Sequence, residues 1–263
     1  MLYMSGIALM LFIFPTMARA DVITKTIDYD HQGTTLSGTL VYDNKVEGKR
    51  PGVLVVHDWM GHGPFAIERA KELAALGYVA FAVDMYGKDV KIKDAKEAAA
   101  QAGKIKGDRL FMRSRIMTAL DVLKSQPQVD ASKTGAMGFC FGGTTSLELA
   151  RSGADVSGVV SFHGGLETAF PAEAGKVKGK ILALHGADDP FVPPAEVANF
   201  EKEMKVARCN WELVSYGNAV HSFTNKAAGT DNRKGAAFND QANERSMTAM
   251  KNFFREVFGK SPG

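Results

Sequence analysis

Apolar and polar residues alternate over residues 22–29 and again over residues 35–42, which is the period of a strand with one buried face. The residues between these two segments, 30–33 (DHQG), are turn formers. Two alternating segments joined by so short a turn are typical of an antiparallel hairpin. We therefore expect the folded part of the chain to begin with a β-hairpin.

Further along, the pattern changes to short continuous apolar runs separated by segments of helical period. A continuous apolar run is typical of a strand buried on both faces, as in a parallel sheet. Strands that alternate with helices predict one α/β domain over residues 21–263, with helices on both faces of a mostly parallel sheet. The predicted strands are residues 52–57, 78–83, 134–139, 156–162, 180–185 and 210–216, and the predicted helices are residues 66–76, 94–105, 108–125, 143–151, 194–206 and 243–258.

Composition narrows the functional class only slightly. The 263 residues are 45% hydrophobic and 23% charged, which is ordinary for a globular protein of one domain. The net charge is +3 and no run of Lys or Arg is present, so nothing indicates a nucleic-acid partner.

The N-terminal segment differs from the rest of the chain. Residues 7–14 form an apolar run, followed by Pro15 and by Ala-Arg-Ala before Asp21. This order is typical of a signal peptide over residues 1–20, although residues 1–6 carry no Lys or Arg. The run is shorter than the ~20 residues needed to span a bilayer. We expect an exported protein, periplasmic or secreted, without a stable membrane anchor; an anchoring N-terminal segment is the alternative.

Cys140 is the strongest candidate for a catalytic residue. It lies in residues 138–143 (GFCFGG), between a predicted strand and a predicted helix. With Ser in place of Cys, this would be the G-x-S-x-G nucleophile elbow, a sharp turn that exposes the nucleophile above the sheet. The alternative is that Cys140 is an inert buried residue. A disulfide to Cys209 would consume the elbow residue, so we expect a free thiol at Cys140 and a buried small hydrophobe at Cys209.

Two further groups follow in the order expected of a catalytic triad, nucleophile, acid, histidine. Asp188 and Asp189 come after the strand at 180–185, and His221 comes after the strand at 210–216. His221 would take the thiol proton as a general base, and an acid behind it would orient the ring. The backbone N–H of Phe141 and that of Trp59 are the candidates for an oxyanion hole.

The remaining candidates give a weaker signal. His57, His163 and His185 end predicted strands, and a structural role is expected for each. The histidines and cysteines lack metal-site spacing and the glycines form no nucleotide-binding motif, so we predict no metal and no cofactor. Aromatic residues near the predicted catalytic face favour an apolar acyl group or ring in the substrate. They are Trp59, Phe65, Tyr86, Phe111, Phe191 and Phe223, and core packing is the alternative role for at least half of them.

These motifs together resemble the dienelactone hydrolase family of α/β-hydrolases, over roughly residues 22–258. The resemblance rests on residues 138–143 (GFCFGG), 189–193 (DPFVP) and 221–223 (HSF). It implies the α/β-hydrolase fold, hydrolysis of small esters or lactones, and a Cys-His-Asp triad. It places the triad acid on Asp189 rather than Asp188, and the acidic residue that gates the resting thiol on Asp58, where the family has Glu.

One departure from the family changes the expected substrate. Asn225, four residues after His221, stands where the family has an Arg that binds the substrate carboxylate. The predicted helical segment at 108–125 contains Arg109, Arg113 and Arg115, but these are expected on an exposed helix face. We therefore expect a small-molecule ester or lactone other than a dienelactone, acted on by a monomer or small homo-oligomer.

Two alternatives to ester hydrolysis remain at this point. An acyltransferase or thioesterase would use the same nucleophile with a different acceptor or acyl carrier. A binding or redox-sensing protein would keep the pocket and an accessible thiol without turnover, because thiolate character also favours oxidation.

Export can be tested on the natural protein. Mass analysis of the protein outside the cytoplasm should find an N-terminus near Asp21, because signal peptidase removes the preceding residues. An exported protein that retains Met1 would contradict the signal-peptide hypothesis.

Overall fold

The computed structural model describes residues 21–259. The predicted signal peptide lies outside these residues. The strands are β1 (Val22–His31), β2 (Thr34–Asp43), β3 (Arg50–Val56), β4 (Val79–Val83), β5 (Val129–Phe139), β6 (Gly158–Phe162), β7 (Lys180–Gly186) and β8 (Trp211–Tyr216). The helices are α1 (Pro64–Ala75), α2 (Ala95–Gly107), α3 (Arg109–Lys124), α4 (Phe141–Arg151), α5 (Pro194–Val206) and α6 (Asp240–Phe258).

All of these strands form one sheet, in the order β1-β2-β4-β3-β5-β6-β7-β8. The hairpin β1–β2 is antiparallel, as is the pairing of β2 with β4. From β4 through β8 every neighbouring pair is parallel. The predicted hairpin, the mostly parallel sheet and the α/β-hydrolase fold are confirmed. Because the parallel strands share a direction, the loops after β3, β5, β7 and β8 meet at one edge of the sheet.

Helices cover both faces of this sheet, as predicted. Side chains of α1 and α6 pack on one face, where Phe254 is completely buried. Side chains of α2 to α5 pack on the other face, around residues such as Leu54 and Phe141. Burying a large apolar side chain contributes roughly 1.5–3 kcal/mol, so the two layers supply most of the favourable free energy of folding. In the described range, no helix has both the length and the apolar character needed to cross a membrane.

A buried ion-pair cluster holds the helices of the second face together. Glu148 on α4 is fully buried; its Oε2 accepts from Arg113 Nε at 2.8 Å and its Oε1 from Arg151 Nη1 at 3.1 Å. Arg151 also pairs with both carboxylate oxygens of Glu203 on α5, at 2.9 and 2.8 Å. Removing one partner would leave a buried charge unpaired, which typically costs 3–5 kcal/mol. The cluster therefore fixes α3 and α5 against α4, the helix that follows the elbow.

Both cysteines are free thiols, as expected. Cys209 lies just before β8, is only partly buried, and packs against the apolar core. Strand β8 lies at the edge of the sheet. Cys209, which precedes it, is therefore less buried than a residue beside a central strand would be.

Candidate active site

Cys140 stands at the sharp turn between β5 and α4. Its backbone has φ 54° and ψ −113°, a strained conformation for a residue other than glycine. A Cβ on Gly138 would lie 2.0 Å from the carbonyl oxygen of Gly142, and a Cβ on Gly142 would lie 2.3 Å from that of Val56. Only glycine fits at these two positions, so the turn predicted from residues 138–143 forms as a nucleophile elbow.

Cys140, His221 and Asp189 form one interacting series. Asp189 is buried, with 4% of its surface exposed, and its Oδ2 lies 2.8 Å from His221 Nδ1. The thiol of Cys140 interacts with the same imidazole and raises its pKa, which places the thiol beside His221. Asp188, by contrast, is exposed. The geometry therefore favours Asp189 over Asp188 as the acid.

The series raises the basicity of the histidine. Burial alone would lower the pKa of His221, but hydrogen bonds with Asp189 and Cys140 outweigh burial and raise this pKa to about 10. An imidazole with so high a pKa takes a thiol proton readily, and the resulting imidazolium faces the Asp189 carboxylate.

Backbone bonds fix the acid and the histidine in their loops. Asp189 Oδ1 accepts the amide N–H of Phe191 at 2.8 Å, which leaves Oδ2 for His221. The amide N–H of His221 donates to the Gly235 carbonyl at 3.1 Å, and the His221 carbonyl accepts from Ala237 at 2.9 Å. The loop after β8 is therefore held by the segment that precedes α6.

The loop after β3 supplies the facing wall of the site. Asp58 Oδ1 accepts the Met60 amide N–H at 2.8 Å, and the Asp58 carbonyl accepts the Gly61 amide at 3.3 Å. Neither bond uses the Trp59 amide, and the Tyr86 hydroxyl donates to the Trp59 carbonyl at 2.9 Å. Phe141 is the first residue of α4, where helix amides lack intrahelical acceptors. Both candidate oxyanion donors thus lie on structured backbone, and both residues line the same pocket as Cys140.

His57 supports this wall as a structural histidine. Met85 donates its amide N–H to His57 Nε2 at 3.2 Å, so Nδ1 carries the proton and donates to the Asp58 carbonyl at 2.5 Å. Its ring stacks on Phe141, with centroids 5.6 Å apart, and meets Tyr86 edge-on at 4.7 Å. Burial lowers the pKa of His57 to about 4, so the ring is neutral.

Asn225 does not take the place of the missing family Arg in the pocket. Its Nδ2 donates to Asp58 Oδ2 at 3.4 Å, and its Oδ1 accepts the Ala227 amide at 2.9 Å. Burial raises the pKa of Asp58, while the bonds from Met60 and Asn225 oppose that rise. Asp58 is therefore held by its own turn and by Asn225.

A pocket of about 610 Å³ opens above the thiol. Small residues of α2 form one wall, and aromatic residues of two loops form the mouth, where Phe191 is 60% exposed and Trp59 is 36% exposed. The lining residues are Trp59, Ala99, Ala102, Gly103, Lys106, Cys140, Phe141, Thr144, Gly165, Phe191, Val192, His221, Ser222, Lys234 and Ala236.

Some residues that were predicted from the sequence to contact the substrate do not line the pocket. Trp59 and Phe191 line the pocket as expected. Phe223 does not: it is completely buried and packs against His163 and Tyr216 in the core. Tyr86 and Asp58 are also not among the residues that line the pocket, and both belong to hydrogen bonds of the loop after β3.

The positions of the arginine and lysine side chains near the site also differ from the prediction. Arg115 was expected on an exposed face but is buried, with Nη1 donating to the carbonyls of Met85 and Tyr86. Arg109 and Arg113 are partly buried and bind carbonyls of the loop after β6. None of the three lines the pocket. Two exposed lysines do, Lys106 at the end of α2 and Lys234 in the segment before α6. No local pattern in the sequence singled them out.

No site for a metal ion is formed by the described residues. Within 21–259, no three side chains of the His, Cys, Asp or Glu type come close enough together to hold a metal ion.

Comparison with known proteins identifies the family. A model of the dienelactone hydrolase family matches residues 36–258, which is most of the chain. The chain belongs to the dienelactone hydrolase family. Family membership and the solved relatives described next make it a hydrolase of the esterase type.

Two solved relatives cover nearly the whole chain. One, from metagenomic libraries, is a dienelactone hydrolase-like promiscuous phosphotriesterase called P91, with 42% identity and a TM-score of 0.86 over 92% of this chain and 100% of P91. The other, m3DLH, has the same identity and TM-score over 90% of this chain and 99% of its own. The protein usf of Aquifex pyrophilus is 30% identical over 67% of this chain and 78% of that protein.

Replacement of Asp189 should change how stability depends on pH. The pKa of His221 is raised from 6.5 to about 10, so protonated His221 stabilises the fold below pH 6.5, and this contribution is lost as pH rises to 10. In Asp189→Asn the carboxylate that raises the pKa of His221 is gone, so this pKa is lower than in the wild type. Between pH 6.5 and 10, the free energy of unfolding in urea should therefore decrease more for the wild type than for Asp189→Asn.

The control is Asp188→Asn, which removes a charge one residue away from an exposed position. Its pH dependence should follow the wild type. If the free energy of unfolding decreased equally for the wild type and Asp189→Asn between pH 6.5 and 10, the carboxylate would not set the protonation of His221.

Proposed function

We propose that this hydrolase cleaves small esters or lactones through a covalent acyl-enzyme on Cys140, with His221 as general acid–base and Asp189 as its orienting acid. The observation that carries the proposal is the series formed by the hydrogen bond between Asp189 and His221 and by the interaction of the Cys140 thiol with the same imidazole. That series ends at the floor of a pocket large enough for a small organic substrate.

Acylation begins from an ion pair in which His221, with its pKa raised to about 10, already holds the thiol proton, and the thiolate sulfur attacks the ester carbonyl carbon. The new S–C bond turns the carbonyl oxygen into an oxyanion, and the amides of Phe141 and Trp59 are the proposed donors to it. When the carbonyl re-forms, the C–O bond to the alcohol breaks, and His221 returns its proton to that oxygen. In a lactone, the alcohol remains attached to the acyl group.

Deacylation uses the same groups with water as nucleophile. His221 takes a proton from water, whose oxygen attacks the thioester carbon, and the S–C bond breaks. The carboxylic acid leaves, and the sulfur is ready for another cycle. If an alcohol or thiol replaced water, the same site would catalyse acyl transfer, so the identity of the acceptor separates hydrolase from acyltransferase.

The pocket suggests an amphipathic substrate. Its α2 wall offers only small apolar groups, Ala99, Ala102 and Gly103, which leaves room for an acyl chain or ring. Lys106 and Lys234 add positive charge at the same pocket. We infer that the acyl group is apolar near the carbonyl and carries an anionic group at its far end, bound by these lysines.

The similarity to P91 supports a second candidate reaction. P91 is described as a promiscuous phosphotriesterase, and it matches this chain over its whole length. The same nucleophile attacking phosphorus would displace the alcohol of a phosphate triester. For that reason, a phosphate triester is included among the test substrates below.

Turnover of paired esters tests the proposed function. The panel contains p-nitrophenyl hexanoate, mono-p-nitrophenyl adipate, which adds a terminal carboxylate, and a p-nitrophenyl phosphate triester. Cys140→Ala should lose at least about 10³-fold in kcat on both carboxylic esters, because no other group replaces the nucleophile. The wild type should favour the adipate by roughly three- to tenfold in KM, since each exposed ion pair contributes up to about 1 kcal/mol.

Charge-removing variants identify the groups responsible for that preference. Lys106→Met and Lys234→Met should each reduce the adipate preference and leave turnover of the hexanoate unchanged. Lys104→Met is the matched control, because Lys104 is an exposed lysine of the same helix that does not line the pocket. Full activity of Cys140→Ala would contradict the mechanism, and an unchanged preference in both lysine variants would contradict the anionic substrate.

A further inference from the structure

His163 is a buried histidine that the proposed reaction does not use. It follows β6, only 2% of its surface is exposed, and its backbone has φ 40°, in the left-handed region. A non-glycine residue held in that region costs about 1–3 kcal/mol, and such residues cluster at functional sites. The surroundings of this ring connect the two halves of the candidate active site.

One nitrogen of the ring contacts the nucleophile's backbone. The amide N–H of Cys140 is shared between the Phe162 carbonyl, at 3.0 Å, and His163 Nδ1, at 3.1 Å. An amide can only donate, so Nδ1 is an acceptor and the ring proton resides on Nε2. The bond therefore fixes both the position of the elbow amide and the tautomer of His163.

The other nitrogen contacts the loop of the catalytic histidine. His163 Nε2 lies 2.8 Å from the hydroxyl oxygen of Thr224, a fully buried residue three positions after His221. The ring also meets His221 edge-on, with centroids 5.2 Å apart, and Phe223 at 5.0 Å. His163 thus touches the loop after β8 by a hydrogen bond and by ring packing.

The surroundings of His163 keep its ring neutral. Burial lowers the pKa of His163 well below its ordinary value, and the nearby His221 lowers it further. A protonated His163 would turn a second N–H toward the Cys140 amide and place a positive charge against the imidazolium that forms at His221. The neutral ring avoids both conflicts.

We propose that His163 and Thr224 are positioning residues, which hold the Cys140 elbow and the His221 loop in one geometry through the chain Cys140 N–H, His163 and Thr224 hydroxyl. The inference rests on the proposed function. Cys140 and His221 come from loops far apart in sequence, and a displacement of about 1 Å between reacting groups can cost about 100-fold in rate. The polar chain across His163 is what limits such a displacement here.

Two matched pairs of variants test the proposal. Thr224→Val removes the hydroxyl at nearly constant volume, whereas Thr224→Ser keeps it. His163→Phe keeps a ring for packing and loses both nitrogens, whereas His163→Asn keeps an acceptor near the Nδ1 position and tolerates the positive φ. The readouts are kcat and KM on p-nitrophenyl hexanoate, and the rate at which iodoacetamide alkylates the peptide containing Cys140.

Thr224→Val and His163→Phe should lower kcat by about 10- to 100-fold with little change in KM, and should slow alkylation. Thr224→Ser and His163→Asn should keep most of the wild-type kcat and most of the wild-type alkylation rate. Wild-type kcat and alkylation in the folded Thr224→Val and His163→Phe variants would overturn the proposal, as would a loss in Thr224→Ser equal to that in Thr224→Val. If His163→Phe fails to fold, the Thr224 pair decides.

The alkylation rate separates this proposal from the proposed function. Turnover that survives in Cys140→Ala would show that the acyl-enzyme mechanism is wrong. Alkylation of Cys140 needs no ester, so it would still report whether His163 and Thr224 hold the thiol and His221 together.

Discussion

Backbone crowding at the elbow is the constraint on which the rest of the site depends. The carbonyl of Val56 on β3 lies so close to Gly142, and that of Gly142 so close to Gly138, that neither glycine has space for a side chain. The chain can turn from β5 into α4 only by forcing Cys140 into an unfavourable backbone conformation. The strain places the thiol above the sheet, at the first turn of a helix whose free amides and dipole favour negative charge.

Buried polar contacts hold the other groups against this fixed point. His57 and Tyr86 hold the turn at Asp58 that carries Trp59. On the opposite side, the backbone bonds of His221 to the segment before α6 hold the histidine. The bond of His57 to the Asp58 carbonyl is buried, and a buried polar atom without a partner would cost roughly 1–3 kcal/mol. The loops after β3 and β8 are therefore held in place by hydrogen bonds that also give their polar groups a partner.

Local patterns in the sequence were sufficient for the fold and for the members of the proposed triad. Runs of apolar residues located the strands, and the glycines of residues 138–143 located the elbow, because both depend on neighbouring residues. The buried position of Arg115 also left a signal: it shares the apolar stripe of α3 with Met112 and Ile116, which a closer reading of helical period would have found.

Contacts between distant segments could not be predicted in that way. Asn225 and Asp58 are 167 positions apart, and the bond between them depends on how two loops meet. Lys106 and Lys234 reach one pocket from α2 and from the segment before α6, with no shared pattern. Phe223 follows His221 closely in sequence, yet the loop turns its ring into the core. Loop direction, rather than sequence distance, decides which side chains face the substrate.

Trapping the acyl-enzyme tests the central claim, that Cys140 is the nucleophile. Wild-type protein mixed with excess p-nitrophenyl hexanoate is quenched in acid within milliseconds to seconds, and the peptide containing Cys140 is examined by mass spectrometry. Because p-nitrophenol leaves easily and a thioester is hydrolysed more slowly, the account predicts a hexanoyl group on Cys140 that forms with a burst of p-nitrophenol. Steady turnover with Cys140 unmodified at every time point would contradict it.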